Sequence, residues 1–130
     1  MLFVVAAALI DGAGRVLVQR RPPGKPMAGL WEFPGGKVDP GEVPEAALVR
    51  ELEEELGIGL RTGELAPAAF ASEALGERHL VLLLYTLRNW RGEPEARHAS
   101  ALAWMPVADL RRLAMPPADV PLIGLLERLI

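Results

Sequence analysis

The feature that most constrains the fold is a helix in the middle of the chain whose two faces differ sharply. Pro44 suits the first turn of a helix and Gly57 suits the position just past its end, so the sequence predicts a helix over Pro44–Leu56. At about 100° of rotation per residue, one face collects the apolar residues Leu48, Val49, Leu52 and Leu56. A neighbouring arc of roughly 100° collects Glu51, Glu54 and Glu55. We therefore expect one face to pack on a core and the other to be acidic.

The acidic face allows two interpretations. Glutamate-rich helices are usually solvated surfaces, and a bare "ELEEEL" predicts no more than that. Three carboxylates that converge at hydrogen-bonding range are also how proteins hold hard divalent cations, because Mg²⁺ prefers oxygen ligands and keeps several waters beside substrate phosphates. Arg50 flanks this face, where it could pair with a carboxylate, and Glu42 arrives from the preceding loop.

The rest of the chain predicts strands and one more helix. Leu2–Ile10 and Arg15–Arg21 are two apolar strands around the turn "DGAG", in which Gly12 and Gly14 can take positive φ, and we predict a hairpin. Further strands are expected at "WEF", "LAPAAFAS", "RHLVLLLYTLRNW" and "ALAWMPVADL", the last leading into a short helix. "DVPLIGLLERLI" is typical of a final amphipathic helix. No repeat or linker divides the chain, so we expect one α/β or α+β domain over residues 1–130.

Composition narrows the function classes. With 51% hydrophobic and 24% charged residues, the chain has the balance of a soluble globule, and the apolar N-terminal run is too short to span a bilayer. The absence of cysteine removes disulfides and thiolate metal sites and fits a cytoplasmic location. A net charge of -3 argues against nucleic acid or anionic lipid as a partner. A polyanionic substrate would need placed arginines or bound metal cations.

Nine positions around the acidic helix resemble the signature of the Nudix hydrolases. They span Gly36 to Ile58 and match the family at every fixed position: Gly36, Glu42, Arg50, Glu51, Leu52, Glu54, Glu55, Gly57 and Ile58. The resemblance implies a loop-helix-loop that holds Mg²⁺ or Mn²⁺, with the backbone carbonyl of Gly35 contributing beside the ligands Glu51, Glu54 and Glu55.

The resemblance also implies the reaction and the supporting residues. In the family, water attacks a nucleoside diphosphate linked to another group, and Glu42 and Arg50 support and orient the loop. We expect Arg50, Glu51 and Glu54 to be the catalytic residues, with Glu51 or a neighbouring carboxylate helping to deprotonate the water. Which glutamate is the base stays open, as does the number of metal ions.

The likeness extends along nearly the whole chain to the MutT group of the family, which sanitises oxidised nucleotides. The stretch "RRPPGKPMAGLWEFPGGKVDPGE" carries it, and "RNWRGEP", "LAWM" and "MPPAD" continue it. The implied fold is the Nudix α/β/α sandwich around a mixed β-sheet. By position, Arg21 matches an arginine that touches substrate phosphate, although it could also be a solvated strand end. The nucleotide-contacting stretch falls on Glu32, Phe33, Pro34, Gly35 and Gly36.

Asp119 falls where proteins similar to MutT carry an Asn or Asp that reads the base. A competing interpretation is that it caps the following helix. An ionised carboxylate only accepts hydrogen bonds, so it would favour 8-oxoguanine, which carries a hydrogen at N7, over guanine, which has an acceptor there. Amino groups of cytosine or adenine could satisfy the same carboxylate. We also expect Phe33 to touch the base, and Met27 and Met115 could line the pocket.

One position departs from the family pattern. Proteins similar to MutT commonly have a glutamate where this chain has His98. A neutral imidazole could bind metal or act as a base, His98 could instead be an exposed loop residue, and Glu95 could take over the role.

These observations together predict a monomeric or homodimeric, metal-dependent nucleoside triphosphate pyrophosphohydrolase. The expected substrate is 8-oxo-dGTP, with CTP or a modified dCTP as the alternative within the family. A catalytically silent nucleotide-binding domain is the alternative from another class.

Overall fold

The computed structural model describes all 130 residues, Met1–Ile130. The elements follow in the order β1 (Leu2–Leu9), β2 (Arg15–Arg20), β3 (Trp31–Glu32), β4 (Gly35–Lys37), α1 (Pro44–Leu56), β5 (Leu65–Leu75), β6 (Arg78–Leu87), β7 (Ala101–Pro106) and α2 (Val120–Leu129). Short 3₁₀ turns cover Thr62–Glu64 and Val107–Arg112. No helix is long and apolar enough to cross a membrane.

The strands form two sheets. The first is mixed, with strand order β4-β1-β6-β5, and the second is antiparallel, with order β3-β2-β7. In the mixed sheet, β1 runs parallel to β6 from Leu2↔Leu80 to Leu9↔Leu87 and antiparallel to β4. The mixed sheet confirms the predicted fold, whereas the second sheet was not anticipated.

The predicted hairpin of the first two strands was wrong. β1 and β2 meet only at the bridge Ile10↔Val16 and then separate into different sheets. The reason is that both edges of β1 are occupied, one by β4 and the other by β6, so β2 pairs with β3 and β7 instead. The turn between them closes on the carboxylate of Asp11, which accepts from the amides of Ala13 and Arg15.

β1 is the centre of the molecule because its side chains alternate between two cores. Val5, Ala7 and Leu9 join Leu48, Leu52 and Leu56 of α1 in one buried cluster. Ala6 and Ala8 join Leu122, Ile123 and Leu126 of α2 in the other. The two helices therefore lie on opposite faces of the mixed sheet, which is the predicted α/β/α arrangement.

Both predicted helix boundaries of α1 are confirmed. Pro44 is its first residue, and Gly57 ends it in the left-handed conformation with φ 71°, its N–H donating to the carbonyl of Glu53. The residue before the helix, Val43, makes no side-chain cap, so proline alone marks the start.

Candidate active site

A cavity of about 680 Å³ opens between the mixed sheet, the Arg21–Met27 loop and the segment before α2. Of the predicted site residues, it is lined by Arg21, Glu32, Phe33, Gly35, Gly36, Glu55, His98 and Asp119. Glu51, Glu54, Arg50 and Glu42 stand beside it rather than in its wall. Pro34 is buried outside it, and its carbonyl accepts from the amide of Ala7 at 2.9 Å.

The paired glycines of β4 allow close approach of backbone and helix. A Cβ on Gly35 would lie 1.9 Å from the carbonyl oxygen of Val5, and one on Gly36 would lie 2.4 Å from the carboxyl carbon of Glu51. At Gly35 the obstacle is the backbone of β1, so no side chain fits there, whereas at Gly36 it is the end of the Glu51 side chain, which would have to move. Gly35 thus lets β4 lie close against β1, and Gly36 lets it lie close against the acidic side of α1.

Arg50 organises the outer part of the site. Its guanidinium donates two bonds of 2.9 Å to Glu42 and one of 2.9 Å to Glu51, and it lies 3.6 Å from Glu54. It also donates to the carbonyl of Lys37 at 3.2 Å. The bonds from Arg50 and from the Asp39 amide hold the pKa of Glu42 at about 2, so this carboxylate stays ionised.

Glu55 faces the inner part of the site. Its Oε2 accepts from the amide of Gly35 at 3.0 Å and from the side chain of Gln19 at 3.4 Å. Burial, followed by the negative charge of Glu51, raises its pKa to about 8. Gly35 therefore meets this carboxylate through its N–H, a contact that the sequence did not predict.

The three helix glutamates point to different places. Glu51 is also partly buried, and burial raises its pKa, whereas the side chain of Glu54 is 53% exposed. No three acidic or histidine side chains are grouped so that they could enclose a metal ion as they stand. The expected convergence is therefore not seen: Glu51 accepts from Arg50, Glu55 accepts from Gly35 and Gln19, and Glu54 only lies near Arg50 at 3.6 Å.

The donor set nonetheless fits a hard divalent cation. Carboxylate oxygens are the ligands that Mg²⁺ and Mn²⁺ prefer, and Glu51, Glu54 and Glu55 lie within one turn of the same helix. Burial and the charge of Glu51 raise the pKa of Glu55, and no basic side chain lies within 4.0 Å of it, because Arg50 bonds to Glu42 and Glu51 instead. A divalent cation would supply positive charge there.

Asp119 is only 7% exposed and also lines the cavity. Its Oδ2 accepts from the amide of Phe33 at 3.2 Å, and it makes no side-chain cap to α2. The capping interpretation was therefore wrong, because the side chain turns away from the helix toward β3. Burial raises its pKa to about 7, which corrects the assumption of a fully ionised carboxylate.

The side chains expected to surround a base divide between the cavity and the core. Phe33 is only 3% exposed and belongs to the core cluster of α2, so its ring is largely covered although it reaches the cavity wall. Met115 is likewise a core residue. Met27 does line the cavity, with an unusual positive φ of 59°.

The basic side chains near the cavity differ in whether they are already paired with an acidic side chain. Arg21 is half-buried and already paired with Glu32 at 2.6 Å, and it donates to the carbonyl of Pro26. It is therefore not a freely solvated strand end. Lys25, Lys37 and Arg78, which the sequence did not single out, line the cavity without an acidic partner within 4.0 Å.

The loop after Trp90 docks on the end of α1. The amides of Glu95 and Arg97 donate to the carbonyls of Leu56 and Glu55, and the Arg97 guanidinium donates to the carbonyl of Glu53. This docking brings His98 into the cavity wall, while Glu95 stays outside and pairs with Arg97 at 3.7 Å. His98 is exposed and belongs to no helix or strand, so the alternative that it is an exposed loop residue is confirmed, although it also lines the cavity.

Sequence reasoning missed Gln19, which lines the cavity and contacts Glu55. A signal was present, because a polar residue that follows the apolar run "VLV" of a strand departs from the composition of its neighbours.

Comparisons with known proteins show which family this chain is similar to. The family described as the NUDIX domain matches residues 2–126. The CTP pyrophosphohydrolase of Escherichia coli strain K12 is 40% identical over 119 residues, 92% of this chain and 87% of that protein. The 8-oxo-dGTP diphosphatase of the same strain is 37% identical over 114 residues, 88% of this chain and 87% of that protein.

Solved structures of similar proteins have the same fold. The solution structure of the E. coli ORF135 protein superposes with a TM-score of 0.88 at 35% identity and covers 99% of this chain and 90% of its own. The crystal structure of a MutT NUDIX hydrolase from Burkholderia pseudomallei superposes with a TM-score of 0.82 at 31% identity and covers 95% of each chain.

Proposed function

This chain belongs to the Nudix hydrolase family, and we propose that it hydrolyses 8-oxo-dGTP to 8-oxo-dGMP and pyrophosphate. Enzymes of this family act on small nucleotide substrates and generally use divalent metal ions. The proposal for this chain is Mg²⁺ or Mn²⁺ at Glu51, Glu54, Glu55 and the carbonyl of Gly35. When bound, such a cation offsets the negative charge of the triphosphate and of the transition state.

The observation that carries the choice of base is the buried carboxylate of Asp119. One of its oxygens is occupied by the amide of Phe33, which fixes its orientation and leaves the other oxygen for a ligand in the cavity. An ionised carboxylate there accepts from the N7–H of 8-oxoguanine, whereas it faces the N7 acceptor of guanine unfavourably. An unmatched pair of buried acceptors costs about 1–3 kcal/mol.

We propose that the phosphates bind in the part of the cavity beside the acidic face of α1. Glu55, Gly35 and Gly36 form the wall there, next to the unpaired Lys37. Arg21 is a candidate phosphate ligand, provided that its guanidinium shares its donors between Glu32 and the substrate. The charges of these side chains favour a polyanion only once the carboxylates of α1 are neutralised.

The reaction needs a base for the attacking water. Glu51 accepts from Arg50 with Oε1 only, so Oε2 is left to take a proton. We propose that Glu51 or a neighbouring carboxylate of α1 removes the proton, while Arg50 and Glu42 hold the helix and its loop in place.

CTP or a modified dCTP is the second candidate. It is supported by the relative named CTP pyrophosphohydrolase, which is 40% identical to this chain, and by chemistry, because the amino group of cytosine can also donate to Asp119. A catalytically silent nucleotide-binding domain is disfavoured, since Glu51, Glu54 and Glu55 are all present.

The test is a panel of nucleoside triphosphates, oxidised and normal, incubated with Mg²⁺ and analysed for monophosphate and pyrophosphate. We expect kcat/KM for 8-oxo-dGTP to exceed that for dGTP and for CTP. A higher kcat/KM for CTP or a methylated dCTP would establish the second candidate, and no hydrolysis of any triphosphate would establish a silent domain.

Asp119 provides a sharper test, because its pKa of about 7 makes selectivity depend on pH. Below that pH the protonated acid can donate to N7 of guanine, so the preference for 8-oxo-dGTP over dGTP should fall on the order of 10-fold from pH 8.5 to pH 6. In Asp119→Asn, whose amide does not titrate, the ratio should stay constant across this range. An equal pH dependence in both proteins would remove Asp119 from base recognition.

A further inference from the structure

Gln19 is an unusual residue for its position. It follows the fully buried Val16, Leu17 and Val18 in β2, and it is only 6% exposed. Only one other polar or charged side chain in the molecule is as buried, that of Asp119. Burying an amide is unfavourable unless it forms hydrogen bonds, so its partner indicates why it is there.

That partner is the carboxylate of Glu55. Nε2 of Gln19 donates to Oε2 of Glu55 at 3.4 Å, and the amide of Gly35 donates to the same oxygen at 3.0 Å. Two donors on one oxygen leave Oε1 without a protein donor. Gln19, Gly35 and Glu55 all lie in the cavity wall, so this arrangement decides which oxygen of Glu55 is available to a ligand.

We propose that Gln19 is a positioning residue that holds Glu55 in the orientation needed to bind a divalent cation. The inference rests on the proposed function, in which Glu55 is a metal ligand. Gln19 also faces Glu32 in the register of β2 and β3, and both Glu32 and Glu51 repel the charge of Glu55, so a donor is needed to hold its carboxylate.

The chemistry of an amide suits this role better than the alternatives. Lysine or arginine at this position would neutralise Glu55 and compete with the cation, whereas an apolar side chain would leave Oε2 with a single donor. A glutamate would add repulsion. Only a neutral donor orients the carboxylate while leaving its charge for the metal.

The test compares Gln19→Met, which keeps the length and removes the donor, with the wild-type protein. We expect Mn²⁺ affinity, measured by electron paramagnetic resonance without substrate, to fall about 10-fold. With saturating Mg²⁺ and 8-oxo-dGTP, kcat should fall by a similar factor while KM stays within about two-fold. Gln19→Leu serves as a second apolar variant, and circular dichroism checks that each protein is folded.

Leu17→Val is a matched control, because Leu17 is a buried residue of the same strand that packs on α1. It should lower the melting temperature but leave Mn²⁺ affinity unchanged. Mn²⁺ affinity unaltered in both Gln19 variants would overturn the proposal. A loss matched by Leu17→Val would also overturn it, because the effect would then be one of general packing.

A double variant separates this inference from the proposed function. If Gln19 acts through Glu55, Gln19→Met should cause no further loss of Mn²⁺ affinity in the Glu55→Gln background. An equal loss in both backgrounds would overturn the positioning role while leaving the proposed function intact. If Glu55→Gln itself changed neither Mn²⁺ affinity nor hydrolysis, both proposals would fail.

Discussion

Single residues in this molecule set how closely charges approach one another. A Cβ on Gly35 would meet the backbone of β1 and a Cβ on Gly36 would meet the carboxylate of Glu51, so glycine at both positions lets β4 approach β1 and the acidic face of α1. The consequence is a carboxylate, Glu55, whose ionised form is disfavoured by burial and by Glu51. The same side chain that serves the proposed chemistry therefore weakens the fold when it is charged.

Glu55→Gln should show both effects. Removing a proposed metal ligand should lower kcat by about 100-fold or more, while removing a buried charge should raise the free energy of unfolding at pH 8 in EDTA on the order of 1–2 kcal/mol. Activity assays and chemical denaturation measure the two quantities.

Glu54→Gln is the matched variant, because the side chain of Glu54 is half exposed. It should lose activity in the same way and leave the stability nearly unchanged. Unaltered hydrolysis in both variants would exclude the proposed metal role, and a destabilised Glu55→Gln would contradict the account of its buried charge.

At the scale of elements, α1 is held in place by the segments before and after it. Arg50, in the middle of the helix, bonds to Glu42 and to the carbonyl of Lys37 in the preceding segment, and the loop that carries Arg97 donates to the last carbonyls of the helix. Gly57 lies at the junction. Its φ is 71°, and a Cβ there would lie 2.5 Å from the guanidinium of Arg97.

Gly57→Ala should therefore destabilise the protein by about 1–2 kcal/mol, since alanine is strained in the left-handed region and Arg97 must move. Thermal unfolding measures the change. Gly63→Ala is the control, because its Cβ would meet nothing within 4 Å and its φ is not positive. A similar shift in both variants would contradict the special role of Gly57.

At the scale of the whole molecule, carboxylates with raised and lowered pKa values set how stability depends on pH. Burial raises the pKa of Glu55 from 4.5 to about 8 and the pKa of Asp119 from 3.8 to about 7. For each group, the folded state therefore binds more protons than the unfolded state at any pH between its ordinary pKa and its raised pKa. The free energy of unfolding should consequently decrease as pH rises from about 5 to about 8. Glu42, with its pKa near 2, acts in the opposite sense: its contribution is lost as pH falls below about 4.5.

Melting temperatures recorded in EDTA across this range test the account. We expect a maximum near pH 5, a decline toward pH 8, and a partial recovery at pH 8 on adding Mg²⁺, because a cation binds the ionised carboxylates of the folded state. In Glu55→Gln the decline should be shallower and the recovery smaller. A melting temperature that rises from pH 5 to pH 8 without metal would contradict the assigned shifts.

Much of the architecture could be predicted from local patterns. Pro44 and Gly57 bound α1 because backbone conformation at helix ends depends on the residue itself, and alternating or continuous apolar runs marked the strands. Helix geometry alone places Glu51, Glu54 and Glu55 on one face of α1, and the spacing of the signature residues in the sequence carries the family resemblance. Both the mixed sheet and the two flanking helices agree with that expectation.

Only the tertiary structure decided what depends on distant neighbours. The first two strands separate because β4 and β6 occupy both edges of β1, and no local pattern reveals which strands compete for an edge. Asp119 bonds to Phe33, 86 positions away, instead of capping its own helix. Gln19 meets Glu55 only because β2 packs beside α1. Burial, charge and hydrogen-bond partners are properties of the assembled chain, so the pKa values and the wall of the cavity could not be predicted from residue order.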